Sequence, residues 1–248
     1  MTLPLLDTFS QPYEIWSKRK LTPEDLKSRK YNTWEIAEGV NDKLDKTISS
    51  ALDAAHHMAQ VGVDSGLAHF IEDSIESSRE FKIWRSSMPS RIPPNIKNYQ
   101  NSYPNCDFEA VNSEIQEIGC LPSEEQCFFH GGYIFEVGIN ELSTCRPLST
   151  TLCPEVALRE ATHNGKAFHQ GEIHLYVLKV VQPQTKVYVF RQNGSKMGYE
   201  KEILLAAGAK LKVESKSLIN ESYPTGIYES FKEIKKDVPV YVIEVSVS

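Results

Sequence analysis

Hydrophobic and polar positions follow one period in the first third of this chain and another in the rest. Apolar residues recur every three to four positions between residues 33 and 62, and again from residue 65, which predicts two amphipathic helices. Thr22, Pro23 and Glu24 mark an earlier helix start, because a capping threonine, a first-turn proline and an acid suit a helix N-terminus. Residues 1–80 are therefore expected to form a helical N-terminal region.

Short runs of apolar and β-branched residues dominate from residue 128 onwards. The predicted strands lie at 128–129, 133–137, 174–181, 186–190, 202–205, 210–213 and 238–247. One helix at 154–162 interrupts them, and the stretch 85–126, rich in Pro, Ser and Asn, is predicted to be mostly irregular. Helices followed by mostly antiparallel strands indicate the α+β class, with the strand-rich domain spanning 81–248.

Length and charge narrow the class of protein. The chain has 248 residues, enough for one large domain or for a catalytic domain with a helical extension. It has 27 basic and 33 acidic residues and a net charge of −6, which argues against binding nucleic acid through a general basic surface. No apolar run is long enough for a transmembrane helix, and the N-terminus lacks the features of a secretory signal peptide. We expect neither nucleic acid nor a membrane as partner.

The cysteines predict no metal site. They are Cys106, Cys120, Cys127, Cys145 and Cys153, and no pair has the Cys-x-x-Cys spacing of a zinc site. Their odd number indicates reduced thiols in a protein that works in a cytosol. A catalytic cysteine is a weaker alternative, because no cysteine is marked by its neighbours.

Glu200 and Glu202 are the most informative pair of residues. If their run is a strand, both carboxylates point to one face and Lys201 points to the other, because side chains alternate along a strand. Two adjacent acids repel each other, but an enzyme that stabilises a cationic transition state and also handles an acceptor proton can use both. The alternative is a solvated strand with two unrelated surface acids.

A second run strengthens the functional interpretation. Ser149-Thr150-Thr151, followed by a Pro-Glu-Val-Ala helix start at 154–157, resembles the Ser-Thr-Ser motif of the mono-ADP-ribosyltransferases. Glu200-x-Glu202, whose first residue is 51 positions after Ser149, resembles that family's third motif. The resemblance covers about residues 80–248. It implies an ADP-ribosyltransferase-like split β-sandwich core, with NAD as the substrate and no metal.

The resemblance also implies a role for each residue of these motifs. Glu202 would hydrogen-bond the NAD ribose and face the positive charge that develops there, and Glu200 would polarise or deprotonate the acceptor. Ser149 would orient Glu202, and Thr150, counted with the cofactor-binding residues, would hold the strand geometry nearby. Tyr199, at the end of the loop 191–199, would stack on the target protein.

The first motif departs from the family pattern, which usually has an Arg at the end of a strand. His130-Gly131 stands at the matching distance before Ser149 and resembles the NAD-binding histidine of the diphtheria-toxin and poly-ADP-ribose polymerase branch. Arg85, ahead of the Pro-Pro loop at 91–94, resembles instead the first motif of the cholera- and pertussis-type toxins. We prefer His130 and keep Arg85 as the rival. A core histidine without function is the other interpretation of His130.

The leading hypothesis is an NAD-dependent mono-ADP-ribosyltransferase that modifies a host protein, with the resemblance implying a bacterial effector active in the host cytosol. Glu200 favours arginine as the acceptor, while a Thr, Ser or Asn, for example on ubiquitin or a GTPase, stays open. NAD glycohydrolase, with water as acceptor, is one alternative. A catalytically inactive binding protein on the same fold is another. A nucleic-acid-modifying relative is disfavoured by the acidic net charge.

Overall fold

The computed structural model describes residues 1–190, 201–229 and 232–248, in which helices flank a large mixed sheet. This arrangement confirms the predicted α+β class. No helix in these ranges is long and apolar enough to cross a membrane.

A small two-stranded sheet lies in the N-terminal region, where only helices were predicted. The elements of this part are β1 (Tyr13–Arg19), α1 (Pro23–Ser28), α2 (Thr33–Glu38) and β2 (Val40–Ile48), with β1 antiparallel to β2. The prediction of one continuous helix over residues 33–62 is therefore wrong. Gly39 explains the break, because it ends α2 with φ of 101° and lies so close to β1 that a Cβ would be 2.3 Å from the Arg19 carbonyl oxygen.

Five helices follow before the large sheet begins. They are α3 (Ala51–Val61), α4 (Ser65–Ser77), α5 (Arg79–Ser86), α6 (Pro94–Ser102) and α7 (Phe108–Ile118). The predicted start of α4 is confirmed, because the Asp64 carboxylate accepts hydrogen bonds from the backbone N–H groups of Gly66 and Leu67.

The prediction that residues 85–126 are mostly irregular is wrong, since α6 and α7 lie within them. The Asp107 carboxylate caps α7 by accepting from two backbone N–H groups of its first turn. Val111 and Ile115 then bury one face of the helix. This apolar stripe is short and the surrounding residues are turn formers, which is why the pattern did not stand out.

The large sheet contains eight strands in the described residues. They are β3 (Cys127–Gly131), β4 (Glu141–Ser143), β5 (Leu148–Thr151), β6 (Ile173–Val180), β7 (Val187–Val189), β8 (Glu202–Leu205), β9 (Lys210–Glu229) and β10 (Lys232–Val247). Between β5 and β6 lie α8 (Pro154–Thr162) and α9 (Lys166–Gln170), joined by a 3-10 turn at His163–Gly165. The strand order is β4-β9-β10-β6-β3-β5-β8-β7, and only the β10–β6 pair is parallel.

Most predicted strands are present, but three differ. Residues 133–137 contain no strand, and the N–H of Ile134 donates to the Tyr176 hydroxyl at 3.4 Å. β9 and β10 extend far beyond 210–213 and 238–247, where their additional residues are largely polar and exposed. The hydrophobic pattern marked only the buried parts of these two strands.

The candidate site lies where the sheet is joined by a minimal strand pairing, between β3 and β5. A single residue pair, Phe129 with Thr151, joins β3 to β5, whereas β5 pairs with β8 along its whole length. α8 packs against β3 and β5 beside this junction, and α3 packs against α8.

The domain boundary near residue 80 stays a prediction.

Candidate active site

Glu202 and Ser149 are brought together by the pairing of β8 with β5. Thr151 lies opposite Glu202, and Ser149 is two residues back on the same face of β5. The Ser149 Oγ donates a hydrogen bond to Glu202 Oε1 at 2.6 Å. Glu202 is only 4% exposed, so its carboxylate is held in one place in a largely dehydrated setting. This geometry is what the orientation of a reacting carboxylate requires.

Thr150 joins two strands of the sheet through its side chain. Its hydroxyl donates to the carbonyl oxygen of Ile203 at 2.8 Å, and the residue is buried. As the residue between Ser149 and Thr151, it faces the opposite side of the sheet. Thr150 thus fastens β5 to β8, and its assignment to cofactor binding stays a prediction.

His130 lies beside the same pair, on β3. Its Nδ1 is 2.7 Å from the carbonyl oxygen of Ser149. A carbonyl oxygen only accepts, so Nδ1 carries the proton and Nε2 retains its lone pair. Burial lowers the pKa of His130, against the opposing effect of the Ser149 carbonyl, so the imidazole is neutral near pH 7.

Gly131 allows a helix to approach the strand closely. A Cβ at this position would lie 1.7 Å from the carbonyl oxygen of Ala157, in α8. The residue therefore sets the packing of α8 on β3. The structure gives Gly131 this packing role, and any contact with NAD stays a prediction.

Arg85 does not match the motif with which it was compared. That motif ends a strand, whereas Arg85 lies in the helix α5. Its guanidinium pairs with Glu76 at 3.2 Å and lies over the Phe81 ring at 5.6 Å. The comparison was wrong because the apolar residues before Arg85 follow a helical spacing, with the Ser78 hydroxyl capping the first turn.

Lys201 occupies the turn directly before β8. It has φ of 52°, in the left-handed region, and its side chain is only 4% exposed. The ammonium lies 2.6 Å from Glu76 and 3.4 Å from Glu72, both on α4. Its side chain therefore runs to the N-terminal helices, while that of Glu202 turns to Ser149.

An aromatic and arginine cluster lies beside the site, and sequence reasoning missed it. Tyr99, Tyr103 and Phe108 pack with ring centroids 5.4 to 6.4 Å apart. The Arg146 guanidinium lies 5.7 Å from the Tyr103 ring and 5.5 Å from the Phe108 ring. Arg146 is exposed and pairs with no carboxylate among the described residues.

The same cluster is electrostatically linked to the catalytic candidates. Burial, and then the Glu202 carboxylate, raise the pKa of Tyr99, while Arg146 acts in the opposite direction. Arg146 also helps to lower the pKa of His130. Arg146, which has no carboxylate partner in the described part of the chain, is therefore near enough to influence the pKa of both Tyr99 and His130. In the sequence, only the position of Arg146 just before Ser149 could have indicated that Arg146 belongs to the site.

Two of the predicted site residues, Glu200 and Tyr199, lie outside the described residues. Their assignments stay predictions.

No protein-family model matches the chain, and no curated protein matches it. Among solved structures it is similar to the enzymatic component C2-I of the C2 toxin from Clostridium botulinum, at 12% identity and a TM-score of 0.38, over 67% of this chain and 45% of that chain. The chain thus spans less than half of the length of C2-I.

Two further similar structures are ADP-ribosyltransferases. Plx2a, a toxin from Paenibacillus larvae, shares 14% identity at a TM-score of 0.37, over 68% of this chain and 92% of that one. Vis, from Vibrio splendidus, shares 11% identity at a TM-score of 0.31, over 78% and 76%. These proteins are of the kind that the sequence motifs resemble. All three TM-scores lie below 0.5.

Proposed function

We propose that this chain is an NAD-dependent mono-ADP-ribosyltransferase that modifies a side chain of a host protein. The observation that carries the proposal is the 2.6 Å hydrogen bond from Ser149 Oγ to the buried carboxylate of Glu202. A buried carboxylate that is oriented by a neighbouring strand suits the stabilisation of positive charge on a ribose.

The residues around this pair fit NAD as the substrate. Arg146 offers a cation with no carboxylate partner in the described part of the chain, as a pyrophosphate needs. The neutral His130 offers an acceptor at Nε2, and Tyr103, which is 50% exposed and packs on the buried Tyr99, offers aromatic surface. NAD would supply the ADP-ribosyl group, through the bond between its ribose and nicotinamide.

Each residue then has one task. Glu202 accepts a hydrogen bond from the ribose and stabilises the positive charge that develops there, and Ser149 keeps its carboxylate aligned. The acceptor side chain bonds to the ribose carbon as the bond from that carbon to nicotinamide breaks, and neutral nicotinamide leaves. The acceptor's proton passes to a base, the role we propose for Glu200 on its sequence position alone. Tyr199 is proposed to contact the target protein.

The proposed setting is a host cytosol, with arginine as the favoured acceptor because of Glu200. Among the similar structures, BECa, an ADP-ribosylating toxin from C. perfringens, was crystallised with NADH, and Vis was crystallised with agmatine. Those facts concern BECa and Vis.

The test is the transfer of labelled ADP-ribose from NAD to proteins of a eukaryotic lysate, with nicotinamide release measured in parallel. We expect release that depends on lysate, labelled protein bands, and the loss of both in Glu202→Ala. Release that ignores lysate and labels no protein would indicate the glycohydrolase instead. A folded wild type that binds NAD without releasing nicotinamide would indicate a binding protein.

A further inference from the structure

The ammonium of Lys201 is enclosed between α4 and the start of β8. Its side chain is 4% exposed, with Glu76 at 2.6 Å and Glu72 at 3.4 Å. A buried ammonium is unfavourable unless it is paired, so this position is maintained by the two carboxylates. Glu76 is the stronger partner of Lys201 because it is nearer than Glu72 and less exposed. The Glu76 side chain is 31% exposed, and the Glu72 side chain is 47% exposed.

Glu76 is itself fixed in place. Its other oxygen pairs with the Arg85 guanidinium at 3.2 Å. Arg85 is in turn held over the Phe81 ring, which is buried. The carboxylate that Lys201 meets is therefore anchored by two helices, α4 and α5, rather than by one exposed side chain.

The backbone of Lys201 also differs from that of the strand it precedes. A φ of 52° is a conformation that lysine adopts rarely, and it persists only where the surroundings impose it. The next residue, Glu202, is the first of β8 and bonds Ser149. The left-handed turn at Lys201 is therefore joined directly to the residue that Ser149 contacts.

We propose that the Lys201–Glu76 ion pair is a positioning device for Glu202, which ties the N-terminal helices to the reacting carboxylate. It holds the left-handed turn, and the turn directs Glu202 toward Ser149. Lys201 is thus a positioning residue that contacts no substrate. This inference rests on the proposed function for its kinetic consequence, although the geometry it describes is independent of the reaction.

The experiment compares Lys201→Met, Lys201→Arg and the wild type in nicotinamide release and in NAD binding. Met keeps the apolar stem and removes the charge, so kcat should fall by about tenfold or more while the Kd for NAD changes by less than about twofold. Lys201→Arg restores the charge and should recover most of the lost kcat. Lys179→Met is a control for removal of a lysine charge, because Lys179 also pairs with a glutamate, Glu125, at 2.6 Å but lies on β6 with 48% of its side chain exposed.

Two results would overturn the inference in an active wild type. One is an unchanged kcat in folded Lys201→Met. The other is an equal loss of kcat and NAD affinity that Lys201→Arg does not recover, since that pattern indicates general disruption of the fold.

If the wild type releases no nicotinamide, the proposed function fails, and crystal structures of the wild type and Lys201→Met decide the inference alone. Loss of the Ser149–Glu202 hydrogen bond in the variant would support it. A retained hydrogen bond would refute it.

Discussion

Ser149→Ala tests whether the orientation of Glu202 contributes to catalysis. The substitution removes one hydroxyl that donates to a carboxylate oxygen at 2.6 Å and leaves the strand backbone unchanged. A hydrogen bond to a charged group contributes about 1.5–3 kcal/mol. If that contribution is made in the transition state, kcat falls by about 10- to 150-fold, because about 1.4 kcal/mol corresponds to a factor of ten.

The assay is steady-state nicotinamide release, with KM and kcat determined separately. KM for NAD should change little, since Ser149 acts through Glu202 and is not proposed to bind NAD. The chain offers a matched control in Ser215→Ala. Ser215 Oγ donates to Glu244 Oε1 at the same 2.6 Å, but in the β9–β10 pair. A kcat for folded Ser149→Ala within about threefold of the Ser215→Ala value would refute the reasoning.

Three further variants probe the surroundings of the site. Gly131→Ala should lower the free energy of unfolding by about 3 kcal/mol, because the added Cβ would lie 1.7 Å from the Ala157 carbonyl oxygen. An unchanged melting temperature would contradict the expected loss of stability. Burial lowers the pKa of His130, so on acidification the imidazole is protonated in the unfolded chain before it is in the folded one, and the free energy of unfolding should fall below about pH 6.5. His130→Asn keeps a donor for the Ser149 carbonyl and should lose less stability between pH 7.5 and 5.5 in denaturant titrations. An equal loss in the variant and the wild type would exclude His130 as the cause. Arg146→Ala should raise the Kd for NAD by about tenfold in calorimetry, with Arg146→Lys intermediate, and unchanged binding would remove Arg146 from the substrate site.

The parts of the site that the sequence predicts well are those set by local rules. Strand alternation and the pairing of β5 with β8 place Ser149 and Glu202 on one face of neighbouring strands. α8 was predicted at its observed bounds, since Pro154 marks its first turn. The start of α4 was likewise predictable from the capping residue Asp64.

The parts that were missed depend on contacts between distant segments. Lys201 meets Glu76, which is 125 residues earlier in the chain, and no local pattern records that pairing. Arg146 contacts Tyr103 and Phe108, which lie at the end of α6 and the start of α7, and these two helices were themselves not predicted. Arg85 was misplaced for the opposite reason, since a short motif resemblance outweighed a helical spacing.

The most direct test of the central claim is nicotinamide release from NAD by purified wild type and by Glu202→Gln, in the presence of lysate. Glu244→Gln is the matched control, since Glu244 also accepts a 2.6 Å hydrogen bond from a serine on the neighbouring strand. The account predicts release by the wild type and by Glu244→Gln, and a loss of about 100-fold or more in Glu202→Gln. Equal release by folded Glu202→Gln and wild type would contradict it.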